Sequence, residues 1–383
     1  MHAGTLRSQV GETSEAIFAT SGYVFSSAEQ AEARSKGDEE GFVYSREANP
    51  TVAMFEARMC ALEEAEAARG TASGMAAVTA SLLSHLKAGD HVVSARALYG
   101  SCRYIVEDVL PCYGIETTLV DGRDLAAWKR AIRSSTRTVF FETPTNPILE
   151  LVDIEGVAEL AHKVGALVVV DNVFATPLLQ RPLLLGADIV VYSATKHIDG
   201  QGRCLGGAVL GSKDFIEEKL HYYLKHTGPS LSPFNAWVLL KGLETLPLRM
   251  ERHGASAAAI ADFLARRKEV VRVFYPGRAD HPQAELAKRQ MAGGGPMVAF
   301  EIKGDKGGAF RFLNALQIFK ISSNLGDAKS IATHPATMTH QRLSPEARAK
   351  VAILDSSIRL SIGLEDLEDL KADLDQALVA SVA

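Results

Sequence analysis

DIVVYSATKHIDGQG, residues 188–202, joins two kinds of sequence that rarely meet. Ile189, Val190, Val191 and Tyr192 form an apolar run of the kind that fills a buried strand, yet Ser193, Thr195 and Lys196 follow at once, ahead of a glycine-rich turn. An unpartnered ammonium is expensive to bury. A lysine at such a strand end is therefore either solvated or placed there for chemistry, and the ends of the neighbouring strands decide between the two.

Outward from this stretch, short apolar runs alternate with amphipathic segments. HVVSA (91–95), TVFFE (138–142), ALVVVD (166–171), DIVVYS (188–193) and GAVLG (207–211) read as buried strands. CRYIVEDVLPCYG, DLAAWKRAIR and IEGVAELAHKVG between them carry helical periodicity. Near-continuous apolar strands alternating with helices predict an α/β fold built on a mostly parallel sheet covered on both faces. After about residue 247 the pattern changes. GASAAAIADFLARR is helical, VVRVFYPG reads as a strand, and GPMVAFEIKG, AFRFLNAL, SIRLSIGLED and a last helix, DLEDLKADLDQALVASV, indicate a smaller α+β domain. The expected division is a polar arm over 1–47, a large domain over 48–247 and a C-terminal domain over 248–383.

Ligands of open α/β sheets sit outside the carboxyl ends of the strands. Here those ends carry Glu142 followed by TPTNP with Asn146, then Asp171, then Ser193, Thr195 and Lys196. Each residue alone has an ordinary explanation as a cap, a turn residue or a solvated charge; their shared place at one rim favours function. A rim lysine can hold a phosphate as a point charge or act as a Schiff-base nucleophile. The chain has no G-x-x-x-x-G-K-[ST] loop for the first use. The second, with pyridoxal 5'-phosphate, needs a carboxylate at the pyridinium nitrogen and a phosphate cup. Asp171 meets the first demand. Ser73-Gly74-Met75, just ahead of an apolar-periodic helix, offers N–H groups for the second, with the Ser193 and Thr195 hydroxyls beside them. The glycines of GQGRCLGG (200–207) resemble a dinucleotide fingerprint, but a strand rather than a helix follows, so they read as a tight turn.

Composition narrows the function classes. The chain has 383 residues, 47% of them hydrophobic, and a formal net charge of −5 without a basic block, which argues against a nucleic-acid or anionic-membrane surface. No apolar run approaches the ~20 residues of a membrane span, and the N-terminus has no signal-like apolar core. Cys60, Cys102, Cys112 and Cys204 are scattered and read as reduced thiols of a cytoplasmic enzyme.

YSATKHIDGQGRCLGG, VVVDNVFATP, FETPTNP, ASGMAAV, LYGS and YSREANPT together resemble the trans-sulfuration family of Cys/Met-metabolism pyridoxal-phosphate enzymes, in family order through nearly the whole chain. The resemblance implies the type I aminotransferase fold and a homotetramer assembled from dimers that share active sites. It implies that Lys196 carries the cofactor and moves protons, and that Asp171 pairs with the pyridine nitrogen. Tyr99 would stack on the ring, with Asn146 near it, while Gly74, Met75, Ser193 and Thr195 hold the phosphate. Tyr44 and Arg46 would reach the phosphate of a neighbouring subunit. In SIRLSIG, alternation alone makes Arg359 solvent-facing; the resemblance instead makes it the clamp for a substrate α-carboxylate.

Within the family three features point to one branch. Ser101 stands where methionine γ-lyases resemble one another in having cysteine. SSNLGDAKS (322–330) has Asn324 and Lys329 where cystathionine enzymes resemble SLGGVES, which disfavours handling a cysteine amino group. NLGDAKS, THPATMTHQ and KHIDGQGR are similar to the O-succinylhomoserine sulfhydrylases. This implies an amino-acid ester and sulfide as small-molecule substrates, with Asn324 and Lys329 on the substrate side and Lys329 toward the distal succinyl carboxylate. His334 and His340 lack a third ligand and are not read as a metal site.

Overall fold

The computed structural model describes residues 1–382. Its larger sheet holds β1 (Ala67–Thr71), β2 (His91–Ala95), β3 (Glu116–Val120), β4 (Thr136–Glu142), β5 (Leu167–Asp171), β6 (Ile189–Ser193) and β7 (Gly207–Gly211), in the order β1-β7-β6-β5-β4-β2-β3. The pairs from β3 through β6 are parallel, and β7 runs antiparallel to both of its neighbours. The apolar runs are continuous because both faces are covered. Val139, Phe141, Val168, Val170 and Val190 pack into one core, while Phe140, Val169, Ile189 and Val191 pack into another on the opposite face. Each such side chain contributes about 1.5–3 kcal/mol relative to exposure. β1 and β3 were not foreseen. AARGT lacks the bulky residues that mark a strand, and ETTLV at the sheet's edge is too polar to stand out.

The second sheet contains β8 (Val270–Phe274), β9 (Met297–Ile302), β10 (Lys320–Ile321), β11 (Ile331–Thr333) and β12 (Ser357–Ser361), in the order β10-β11-β12-β9-β8. Its apolar face meets helices Leu246–Ala265, Lys306–Ala315 and Leu367–Ser381 in a core that includes Val298, Phe300, Ile358, Leu360 and Phe312. AFRFLNAL thus lies in a helix and a short turn beyond it. The helix Leu246–Ala265 runs across the division expected near 247, so one continuous element links the two sheets' surroundings.

The N-terminal segment begins on its own chain. Glu15 pairs with Arg58, which is 4% exposed, and with Lys241 at 2.5 Å; Trp237 Nε1 donates to the Glu15 carbonyl at 2.9 Å. Asn49 caps helix Pro50–Glu63 and donates to the Phe18 carbonyl at 2.9 Å. A helix, Ala28–Lys36, interrupts the arm. No helix among the described residues is long and apolar enough to cross a membrane.

Candidate active site

The carboxyl ends of β4, β5 and β6 open into a cavity of about 780 Å³. Strand pairing places Glu142 directly beside Asp171, with Ser193 two residues past Asp171's partner Val191. Lys196, half-buried, lies on the turn after β6, and the helix Gly74–Leu83 begins across from it. Gly74 is obligatory by close approach: a Cβ there would fall 2.5 Å from the Ser193 Cβ. The cavity lining includes Gly74, Met75, Tyr99, Asn146, Asp171, Ser193, Thr195, Lys196, Asn324 and Arg359.

The helix start is an anion cradle. The Ser73 side chain caps the Ala76 N–H at 3.1 Å, leaving the Gly74 and Met75 N–H groups at the positive end of a ten-residue helix. Ser193 adds a hydroxyl. Thr195 lines the cavity too, but its hydroxyl is already engaged with Gly206, accepting from the N–H at 3.0 Å and lying 3.2 Å from the carbonyl.

Burial pushes both the Glu142 and the Asp171 carboxyls up, and the neighbouring Asp171 charge raises Glu142 further. Two such carboxylates side by side are stabilised as anions by a cation brought between the strand ends. The Asp171 carboxylate accepts one hydrogen bond among the described residues, from the Val173 N–H at 3.1 Å, and so retains acceptor capacity for a cation. Glu142 has a positioning task that the sequence left open. It accepts the Tyr99 N–H at 2.9 Å and the Asn146 N–H, tying two lining residues to the end of β4.

Opposite these acids stand Lys196 and Arg359. Lys196 Nζ donates to Asn324 Oδ1 at 2.6 Å. Burial, followed by the Arg359 charge, lowers its ammonium to about 8, so a minor but usable fraction, on the order of a tenth at pH 7, is free amine. Arg359 is 1% exposed, contrary to the solvent-facing default of its strand pattern. The polar side of β12 is covered by the cavity wall. Arg359 donates from Nη1 to Asn146 Oδ1 (2.9 Å) and from Nη2 to the Asn324 carbonyl (2.9 Å) and Thr333 Oγ1 (3.1 Å), while its Nε has no partner. None of these partners is a carboxylate, so the full guanidinium charge remains available to an anion.

Several expected residues lie elsewhere. Lys329 is 68% exposed, pairs with Asp327 at 2.8 Å and does not line its own chain's cavity. The cause is local: Asp327, two residues away, captures the ammonium. Tyr44 and Arg46 do not line their own chain's cavity; Arg46 lies over the Tyr44 ring and donates to the Lys225 carbonyl. Conversely, Arg103, Tyr104, Glu107 and Asp108, and Arg342 and Leu343, line the cavity without having been singled out, and His340, considered only as a metal ligand, lines it too. The first group sits on a helix that opens into a π turn over Ile105–Val109, a feature common at functional sites that periodicity does not report.

An anion cradle, a buried acid pair seeking a cation and a desolvated lysine meet the demands of pyridoxal phosphate, and the fold and site define the class of enzymes that depend on it. Comparison with known proteins narrows the class. The family model for Cys/Met metabolism PLP-dependent enzymes matches residues 1–379, and the chain belongs to that family. It is 53% identical to an O-succinylhomoserine sulfhydrylase of Mycobacterium tuberculosis, over 99% of this chain and 94% of that one. It is 46% identical to an L-methionine γ-lyase of Pseudomonas putida, over 95% and 92%. A solved Campylobacter jejuni structure described as a putative O-acetylhomoserine (thiol)-lyase, containing a pyridoxyl-lysine phosphate, superposes with a TM-score of 0.95 at 33% identity, over 99% of this chain and 98% of that one.

Proposed function

We propose that the protein is a transferase that replaces the γ-substituent of O-succinylhomoserine with sulfide. The Cγ–O bond of the ester breaks and a Cγ–S bond forms, so that O-succinylhomoserine and hydrosulfide yield homocysteine and succinate. The 53% identity to an O-succinylhomoserine sulfhydrylase over nearly the full chain carries this reading, against 46% to a γ-lyase. Bound pyridoxal phosphate supplies an electron-accepting ring that acidifies the protons on the substrate's Cα and Cβ.

The chain's residues supply the rest. Gly74, Met75 and Ser193 would hold the phosphate, with Thr195 shaping the same wall. Asp171 stabilises positive charge at the pyridine nitrogen. Lys196 is the residue that would hold the cofactor covalently and, as a free amine, would take and return protons at Cα and Cβ; its low ammonium pKa suits both directions near neutrality. Arg359, steadied by Asn146 and the Asn324 carbonyl, binds the α-carboxylate and so fixes which Cα bond lies near Lys196. Tyr99, anchored through its N–H by Glu142, covers the cofactor face. Tyr44 and Arg46 complete a neighbour's phosphate site in a cytoplasmic homotetramer built from dimers, which explains why they stand away from their own cavity.

Product analysis tests the reading. O-succinylhomoserine with sulfide is expected to yield homocysteine and succinate in equal amounts. Predominant 2-oxobutyrate and ammonia would make the protein a γ-lyase, and product formed only with cysteine as the sulfur donor would make it a cystathionine γ-synthase.

A further inference from the structure

The cavity's guanidinium groups differ in what they already hold. Arg103 is committed: its Nε and Nη2 donate to the two Glu107 carboxylate oxygens at 2.7 and 2.8 Å. Arg359 lies fully buried with no carboxylate partner. Arg342 lies at the exposed rim, on the loop that follows β11, and its guanidinium carbon is 5.7 Å from the centroid of the Tyr104 ring. It forms no ion pair with any described residue; the Asp108 carboxylate, also on the rim, is beyond ion-pair distance. A cation held over an aromatic face engages the ring through its charge and keeps its N–H donors for another partner.

Two uncommitted guanidinium groups thus occupy the buried and the exposed ends of one cavity. An acyl-homoserine carrying an acetyl group has one carboxylate; a succinyl ester has a second at the far end of its acyl chain. We propose that Arg342 reads this distal carboxylate and makes the site selective for dicarboxylic-acid esters, with Tyr104 holding the guanidinium against the cavity wall. This rests on the γ-replacement reading above and assigns to Arg342 the task expected of Lys329, which is paired outside its own chain's cavity.

The test compares holoenzyme of wild type, Arg342→Gln and Arg342→Lys with O-succinylhomoserine and O-acetylhomoserine, each with sulfide. Arg342→Gln is expected to lower kcat/KM for the succinyl ester about tenfold, chiefly through KM. The acetyl ester should stay within about twofold, and Arg342→Lys should recover part of the succinyl loss because it keeps the charge. Equal losses for the two esters, or no loss for either, would overturn the assignment. Should the wild type turn over neither ester, the γ-replacement reading falls and calorimetric titration with succinate decides the subsite separately. Weaker succinate binding by Arg342→Gln than by wild type then supports it; equal binding, or none by either, overturns it.

Discussion

Replacing Asn324 with aspartate changes almost nothing in shape but puts a carboxylate where Lys196 now has a neutral acceptor, 2.6 Å from its Nζ. In the native site, burial and then the Arg359 charge hold the lysine at about 8. An opposite charge in contact raises an ammonium by about 1–3 units. With a rise of about 2, the free-amine fraction at pH 7.5 falls from roughly a quarter to about 0.3%, on the order of 80-fold less nucleophile. The sign is unambiguous, since the amine is the competent form and lies on the alkaline side of the titration. The assay is covalent capture of pyridoxal phosphate by cofactor-stripped protein across pH, fixed with borohydride and read as a mass increment on the Lys196 peptide. Wild type should show a midpoint near 8, Asn324→Asp a midpoint at least about one unit higher, and Asn324→Leu no such rise. An unchanged or lower midpoint for the aspartate variant would refute the view that Lys196 is tuned by burial and by the lack of a carboxylate partner.

Three further outcomes follow from the same geometry. Arg359→Lys should raise KM for the amino-acid substrate on the order of 100-fold, from about 2–3 kcal/mol of lost bidentate charge-assisted bonding; a change below about threefold in steady-state kinetics would remove Arg359 from the carboxylate site. Asp171→Asn keeps the side chain's size but not its charge, and kcat should fall by about 10²–10³ while the fold, followed by circular dichroism, stays intact; near-native turnover would count against the charge. Glu15→Ala leaves the buried Arg58 without its closest partner and should cost about 3 kcal/mol in urea unfolding. Burial pushes Glu15 up, but the hydrogen bond from Lys241, with its own backbone and Arg58, outweighs this and holds the carboxyl at about 2, below its usual 4.5. Its contribution is therefore present above pH 4.5 and fades as pH falls toward 2, so wild type should lose its advantage over Glu15→Gln across that window.

The local pattern carried the large sheet's interior because a strand buried on both faces must be apolar throughout, and such runs are visible without knowing the neighbours. The strand-end residues Glu142, Asp171 and Ser193 were legible for the same reason: chain direction in a parallel sheet brings the carboxyl ends of successive strands to one rim. β1 and β3 escaped because an alanine- and glycine-rich strand and a polar edge strand have no distinctive period. The π turn after Tyr104 escaped because it shifts a helix without changing its composition.

What the sequence determined by itself is therefore the α/β architecture, the lysine and acids at the rim and, through motif order, the family. What only the tertiary structure decided is which charges face the cavity. Arg359 has the same alternating setting as a surface arginine, yet it is buried because another part of the chain covers β12. Lys329 has a plausible position in sequence, yet Asp327 holds it outside, and Arg342 reaches the rim over Tyr104, a residue more than two hundred positions earlier. Periodicity records which face of an element is polar; whether water or another part of the protein meets that face depends on contacts between residues far apart in the chain.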